Sequence, residues 1–149
     1  LLQGDVHDMG AAMLGGVGGH AGLFANANDV AKIMQMYLQK GYYGGKRYLN
    51  KSTLDKFNYR YFSDKKVRRG VGFDKPQLNP DIKATCGCVS DESFGHSGFT
   101  GTYTWADPKS ELVYVFLSNR VYPTMKNTSL LTNNIRTEIQ QIIQDAIID

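Results

Sequence analysis

A histidine and a serine stand side by side among glycines in the stretch Gly95-His96-Ser97-Gly98-Phe99-Thr100-Gly101, at the start of a strong strand pattern. Imidazole and hydroxyl groups carry proton transfer and nucleophilic attack in many enzymes, and glycines let a ligand or a second backbone approach a strand. Neighbours on a strand point to opposite faces, so His96 is poorly placed to act as a base for Ser97. A strand with a polar start and a packing glycine is the plainer interpretation of the same residues.

Neither Ser97 nor Ser63 has the sequence context of a nucleophile. Around Ser97 the elbow pattern Gly-x-Ser-x-Gly fails at Phe99, and the stretch runs into a strand, where an elbow requires a helix. Ser63-Asp64-Lys65-Lys66 has the spacing Ser-x-x-Lys, but it lies in a charged stretch and no apolar helical period follows it. We therefore expect neither an elbow at Ser97 nor a nucleophile at Ser63.

The glycine-rich start of the chain does not predict a cofactor or metal site. Gly16-Val17-Gly18 follows no strand and opens no βαβ unit, which excludes a dinucleotide fingerprint. His7, Asp8 and His20 lack the spacing of metal ligands, and we expect them to hydrogen-bond backbone groups of an irregular loop. No metal and no cofactor are predicted.

Two cysteines, Cys86 and Cys88, are separated by one residue. A bridge between them would close so small a ring that the disulfide geometry would be strained. A metal site is not supported either, because no second pair of cysteines exists. The sequence therefore predicts two free thiols in a loop.

Composition and charge exclude two broad classes. The chain has 149 residues, 42% of them hydrophobic, which is enough for one domain with a real core. Of its 17 basic residues, four lie together as Lys65, Lys66, Arg68 and Arg69, against 14 acidic residues overall. One local basic spot is typical of a solvated loop and does not predict a nucleic-acid surface. No apolar run approaches the roughly 18 residues that a membrane span needs.

The elements that must position these residues are those of an α+β domain, an antiparallel sheet covered by helices. Residues 1–25 are predicted to be a glycine-rich loop, residues 26–62 helical, and residues 68–149 a sheet plus a C-terminal helix. A helix capped at Asn26 runs to Gly41, since its apolar residues recur at helical spacing.

Strands are predicted at about 70–73, 97–105 and 111–118, and the last two form a hairpin through the turn Asp107-Pro108-Lys109-Ser110. Residues 74–93 show no clean period and are predicted to be a long loop. From about Ser129 an apolar helical stripe predicts a helix that covers the sheet.

The order of several motifs resembles the C-terminal part of the serine β-lactamase and penicillin-binding-protein superfamily, with the class C β-lactamases and related esterases as the nearest branch. The stretch from Gly95 is followed by a strand to Trp105, a turn, and a strand ending in Leu117-Ser118-Asn119-Arg120 before Tyr122-Pro123. Upstream, residues 19–32 are similar to the family's Gly-Gly-Leu segment and the helix after it. The resemblance implies a partial β-lactamase/transpeptidase-like fold, with residues 1–149 as one partial domain, the C-terminal half of a catalytic domain.

By this resemblance, His96-Ser97-Gly98 is the third active-site element of the family. His96 and Ser97 are then catalytic residues, and Gly98 and Phe99 are substrate-binding residues, with the Phe99 backbone N–H forming half of an oxyanion hole. His96 stands where β-lactamases carry a lysine. Because a neutral imidazole attracts a β-lactam carboxylate less than an ammonium does, the resemblance implies an esterase, peptidase or amidase.

The resemblance also implies that the family's Ser-x-x-Lys nucleophile belongs to a missing N-terminal half of the domain, that the substrate is a small molecule, peptide or glycan, and that the setting is periplasmic or extracellular. A non-catalytic binding module for a peptide or a cell-wall glycan, using the Phe99 strand and the long loop, remains the alternative.

The missing half has consequences for assembly. In the family, further strands lie beside the last C-terminal strand, so residues 112–117 are expected to present an unpaired edge through which two copies form a homodimer or aggregate. Residues 1–25 are expected to be poorly ordered or held by a partner chain.

Overall fold

The computed structural model describes residues 2–79 and 81–147. Its elements in chain order are helices α1 (Met9–Met13) and α2 (Ala27–Leu38), strands β1 (Tyr42–Tyr43) and β2 (Lys46–Arg47), helix α3 (Lys51–Asn58), a 3-10 turn (Ser63–Lys65), strands β3 (Phe94–Ser97), β4 (Tyr103–Asp107) and β5 (Leu112–Phe116), and helices α4 (Ser129–Thr132) and α5 (Ile135–Asp145). Strands β3, β4 and β5 form an antiparallel sheet in that order. The predicted α+β class is confirmed.

Helices cover both faces of the sheet. On one face Met34 of α2 packs against Phe94 and Ala106, and on the other Ile139 and Ile143 of α5 pack against three buried aromatic rings, those of Tyr103, Trp105 and Tyr114. The alternation of side chains along β4 explains this division, since Trp105 and Ala106 must point to opposite faces. The predicted cap of α2 is confirmed, because Oδ1 of Asn26 accepts a hydrogen bond from the Asp29 N–H at 3.0 Å.

The predicted strand over residues 97–105 is wrong, because the chain turns in its middle. The hairpin of β4 and β5 forms as predicted, with Asp107 paired with Leu112. Before it, however, the Gly98 N–H donates to the Thr102 carbonyl at 2.8 Å and closes a turn over residues 98–102. Gly101 has φ +104 in this turn, a conformation that glycine adopts without strain. His96 and Ser97 therefore lie on a strand of their own, β3.

The predicted strand over residues 70–73 is also wrong. Only Asp74 reaches the sheet, where it exchanges two backbone hydrogen bonds with Gly95 at 2.8 and 3.1 Å. Its buried carboxylate binds Arg68 at 2.8 Å and Arg69 at 2.6 Å. The basic spot is therefore only half solvated, since two of its cations neutralise a buried anion that would otherwise be costly.

The C-terminal helix differs from its prediction in two respects. It is divided into α4 and α5 at Asn134, whose φ of 52° lies in the left-handed region. The apolar stripe also covers the sheet only in part, since Ile142 is 68% exposed while Ile139 and Ile143 pack on the aromatic rings. Three further apolar residues of the region also remain substantially exposed, namely Leu131, Ile135 and Ile147.

The prediction of two free thiols is wrong, because Cys86 and Cys88 form a disulfide. The backbone bends at Gly87 enough to place the two Cα atoms 5.2 Å apart, inside the usual span of about 4.4–6.8 Å. The surrounding loop over residues 74–93 is otherwise irregular in its described part, as predicted. Among the described helices, none is long and apolar enough to cross a membrane.

Candidate active site

A groove of about 1010 Å³ separates the N-terminal segment from the end of the sheet. One wall comes from the turn over residues 98–102 and the end of β5, and the other from the glycine-rich segment that contains α1. Its polar lining residues include His7, Asp8, His20, His96, Ser118 and Asn119. All three histidines of the chain thus line one groove.

His96 is exposed on β3 and faces this groove. Its Nδ1 lies 2.9 Å from the carbonyl oxygen of Ser97. Because a carbonyl oxygen only accepts, Nδ1 must carry a proton, and in the neutral ring Nε2 is left as an acceptor. His96 can therefore take up or return a proton at Nε2, the chemistry that a general base or acid needs.

Ser97 does not line the groove that His96 faces. Its side chain lines a separate cavity of about 200 Å³, together with Trp105 and Arg136 on the side of the sheet that α5 covers. The strand alternation expected from the sequence thus separates the two neighbours, and the structure does not bring His96 and Ser97 together in one cavity. The catalytic role of Ser97 stays a prediction.

The turn after β3 places Gly98 and Phe99 at the groove. A Cβ on Gly98 would collide with the hydroxyl of Thr102, so a larger residue there would force that side chain to move. The Gly98 carbonyl accepts the Gly101 N–H at 3.1 Å inside the turn. In a trans peptide the N–H points away from the carbonyl, so the N–H of Phe99 points out of the turn. Within residues 2–79 and 81–147 it has no hydrogen-bond partner.

Opposite this turn, Asp8 and His20 form a pair that the sequence did not predict. Nε2 of His20 lies 2.9 Å from Oδ1 of Asp8, and the same oxygen accepts the Ala11 N–H at 2.9 Å, capping α1. The hydrogen bond from the Ala11 backbone N–H, followed by the hydrogen bond with the His20 side chain, lowers the pKa of Asp8 below its ordinary value. The expectation that these residues bond backbone groups is right for Asp8 and wrong for His20. The spacing of Asp8 and His20 in the sequence did not indicate this pair, because the two residues are twelve positions apart.

Ser63 is far less suited to catalysis than its motif suggests. It lies exposed in the 3-10 turn Ser63–Lys65 and lines neither cavity described above. Across the described ranges no cluster of three histidine, cysteine, aspartate or glutamate side chains has the geometry to hold a metal ion. The groups described at the groove that can act on a substrate are the His96 imidazole, by proton transfer, and the Phe99 N–H, by hydrogen bonding.

The antiparallel sheet covered by helices on both faces is consistent with an α+β fold of the β-lactamase type. A family model described as Beta-lactamase matches residues 2–137. The chain belongs to this family.

Curated relatives agree with this assignment. Proteins from Salmonella agona (strain SL483) and Salmonella typhi, each named "Putative D-alanyl-D-alanine carboxypeptidase", are 36% identical to the chain over 134 residues. The match covers 89% of this chain and 30% of each relative. The chain thus corresponds to less than a third of the length of these relatives.

Proposed function

We propose that this chain forms one wall of the active site of a serine hydrolase, of the esterase, peptidase or amidase type. In this proposal it contributes the third active-site element, His96-Ser97-Gly98, and half of an oxyanion hole, the Phe99 N–H. The observation that carries the proposal is that Nε2 of His96 and the Phe99 N–H both belong to residues lining the same groove. The Ser-x-x-Lys nucleophile is proposed to come from another part of the natural protein.

The proposed mechanism divides the work between these groups. A serine hydroxyl attacks the substrate carbonyl, and the carbonyl oxygen becomes an oxyanion that the Phe99 N–H stabilises by a hydrogen bond. Nε2 of His96 accepts the proton of that serine hydroxyl and returns it to the leaving group, whose bond to the carbonyl carbon breaks. Water then attacks the acyl-serine ester, releasing the acid and restoring the serine hydroxyl. Ser97 lines the separate cavity on the other face of β3, so its hydroxyl is given no step in this mechanism.

The substrate is proposed to be a peptide, in line with the carboxypeptidase name of the Salmonella relatives. The groove suits such a substrate, since apolar side chains line it beside the polar groups, with Leu23, Phe24 and Phe99 each more than 60% exposed. A periplasmic or extracellular setting is proposed with it. Retention of a peptide or glycan without turnover would favour the alternative, a binding module.

The outer edge of β5 is proposed to pair with a further strand. Among the described residues β5 pairs only with β4, so its other side presents open backbone groups. Strands from the remainder of the natural protein are the proposed occupants, and a second copy replaces them when the chain is produced alone. Sedimentation of the chain across a concentration series tests this, and a monomer at every concentration would contradict it.

The proposed division of labour is tested with the chain alone. We expect no hydrolysis of nitrocefin or a p-nitrophenyl ester, because an oxyanion donor without a nucleophile forms no acyl intermediate. Ser63→Ala and Ser97→Ala serve as matched variants. Turnover that Ser63→Ala abolishes would make Ser63 the nucleophile, and turnover that only Ser97→Ala abolishes would assign that role to Ser97.

A further inference from the structure

Arg120 holds the turn that carries Phe99. Its Nε donates to the Phe99 carbonyl at 2.7 Å, and its backbone N–H donates to the Thr100 carbonyl at 2.9 Å. Its guanidinium also lies over the Phe99 ring, 4.5 Å from the ring centroid. One arginine thus contacts the carbonyl and the side chain of Phe99 and the carbonyl of the next residue.

Arg120 is itself fixed by the loop that follows it. Its Nη1 lies 3.5 Å from the Met125 carbonyl and 3.4 Å from the Asn127 carbonyl. Within the described ranges Arg120 forms no salt bridge with a carboxylate. Its partners are neutral, so its positive charge remains uncompensated beside residues 117–119, which line the groove.

The Gly98–Phe99 peptide is therefore restrained at its own carbonyl, and the residue that supplies its N–H is restrained at its side chain and at the next carbonyl. On one side the Gly98 carbonyl accepts the Gly101 N–H within the turn, and on the other Arg120 fixes the Phe99 carbonyl and ring. A peptide plane held in this way cannot rotate its N–H freely. Preorganised donors matter in catalysis because they need no reorganisation when charge develops.

We propose that Arg120 is a positioning residue, which keeps the Phe99 N–H directed at the oxyanion while its own charge adds to the positive potential there. This role rests on the proposed function of the Phe99 N–H. Arg120 itself does not contact the reacting atoms.

The test uses the whole natural protein, with Arg120→Ala, Arg120→Lys and a control, Arg47→Ala. Arg47 makes the same kinds of contact away from the groove, since it donates to the Lys40 and Leu49 carbonyls and stacks on Tyr42 at 5.9 Å. Two quantities are measured, the ¹⁵N order parameter of the Phe99 amide and the separate kcat and KM for a p-nitrophenyl ester.

For Arg120→Ala we expect the Phe99 order parameter to fall from about 0.85 to below about 0.6. We also expect kcat to fall by about 10- to 100-fold, up to the loss that follows removal of one oxyanion donor, with KM changed less than about threefold. Arg120→Lys should recover part of kcat, because an ammonium keeps the charge and the ring contact while losing the guanidinium fork.

Two outcomes separate this inference from the proposed function. If the natural protein hydrolyses the ester but Arg120→Ala matches Arg47→Ala in both kcat and the Phe99 order parameter, the positioning role is overturned and the proposed function stands. If the natural protein does not form an acyl intermediate, the proposed function fails. The order parameter then still decides whether Arg120 holds the Phe99 amide.

Discussion

The hydroxyl of Tyr103 on β4 donates a hydrogen bond to the side-chain oxygen of Gln140 on α5, at 3.0 Å. Gln140 is only 2% exposed, and the same oxygen lies 3.3 Å from the Cys86 N–H, which also donates to it. Burial raises the pKa of Tyr103, so its hydroxyl remains a donor well into the alkaline range. A single amide oxygen thus joins the sheet, the disulfide loop and the C-terminal helix.

Gln140→Leu should destabilise the fold. It leaves the Cys86 N–H buried without its acceptor and the Tyr103 hydroxyl with only the Ala84 carbonyl, 3.5 Å away, and an unsatisfied buried donor costs about 1–3 kcal/mol. Urea unfolding of the chain should show a lower midpoint with an unchanged slope. The control is Gln141→Leu, which removes an exposed hydrogen bond to Asp145. Equal midpoints for the two variants would show that the buried bond contributes no net stability.

Lys75 should make stability rise with pH between about 8 and 10. Burial lowers the pKa of Lys75 to about 8, with Arg60 and Lys40 acting in the same direction and Glu92 and Asp107 opposing it. Above pH 8 the folded state loses this proton while the unfolded state keeps it until about 10.4, so the free energy of unfolding increases.

The comparison with Lys75→Met isolates this contribution. Burial raises the pKa of Tyr103 and Tyr114, so above about pH 10 the unfolded state loses tyrosine protons first and stability falls again. The free energy of unfolding of the unsubstituted chain, minus that of the Lys75→Met variant, should therefore increase from about pH 8 to about pH 10. A flat difference over this interval would mean that the amine is solvated or fully compensated.

Acid should release the N-terminal wall of the groove before the core unfolds. The folded-state pKa of Asp8 is lowered, so the cap on α1 is fully present above the unfolded value of about 3.9 and is lost as the pH falls through the folded value. Hydrogen exchange at the Ala11 amide should accelerate over this interval. Asp8→Asn should remove the dependence, and Asp5→Asn, in the same segment, should retain it.

Local sequence patterns predicted the elements that are determined by residues close together in the sequence. Asn26 caps α2 where the sequence placed a helix start, and the Asp107-Pro108 turn joins β4 to β5 as its residues indicated. The break after Ser97 was missed because a strand was extended through Gly98 and Gly101. Those two glycines in fact allow the turn that presents Phe99.

The remaining errors come from contacts between distant parts of the chain. Arg68 and Arg69 looked like solvated cations because their partner, Asp74, is buried by the fold and not by its sequence neighbours. His20 and His96 line the same groove because the glycine-rich segment lies along the end of the sheet. For the candidate site, the role that the family resemblance implies for His96-Ser97-Gly98 stays a prediction, and residue spacing alone did not indicate the groove beside His96.

The most direct test of the proposed active site is to locate the acylated serine in the whole natural protein. The protein is labelled with a fluorescent penicillin or a fluorophosphonate, digested, and the modified peptide is identified by mass spectrometry, with a His96→Ala variant labelled in parallel. We predict that the label lies on the serine of a Ser-x-x-Lys sequence outside these 149 residues, and that labelling of His96→Ala is slower. Modification of Ser63 or Ser97 would contradict this account.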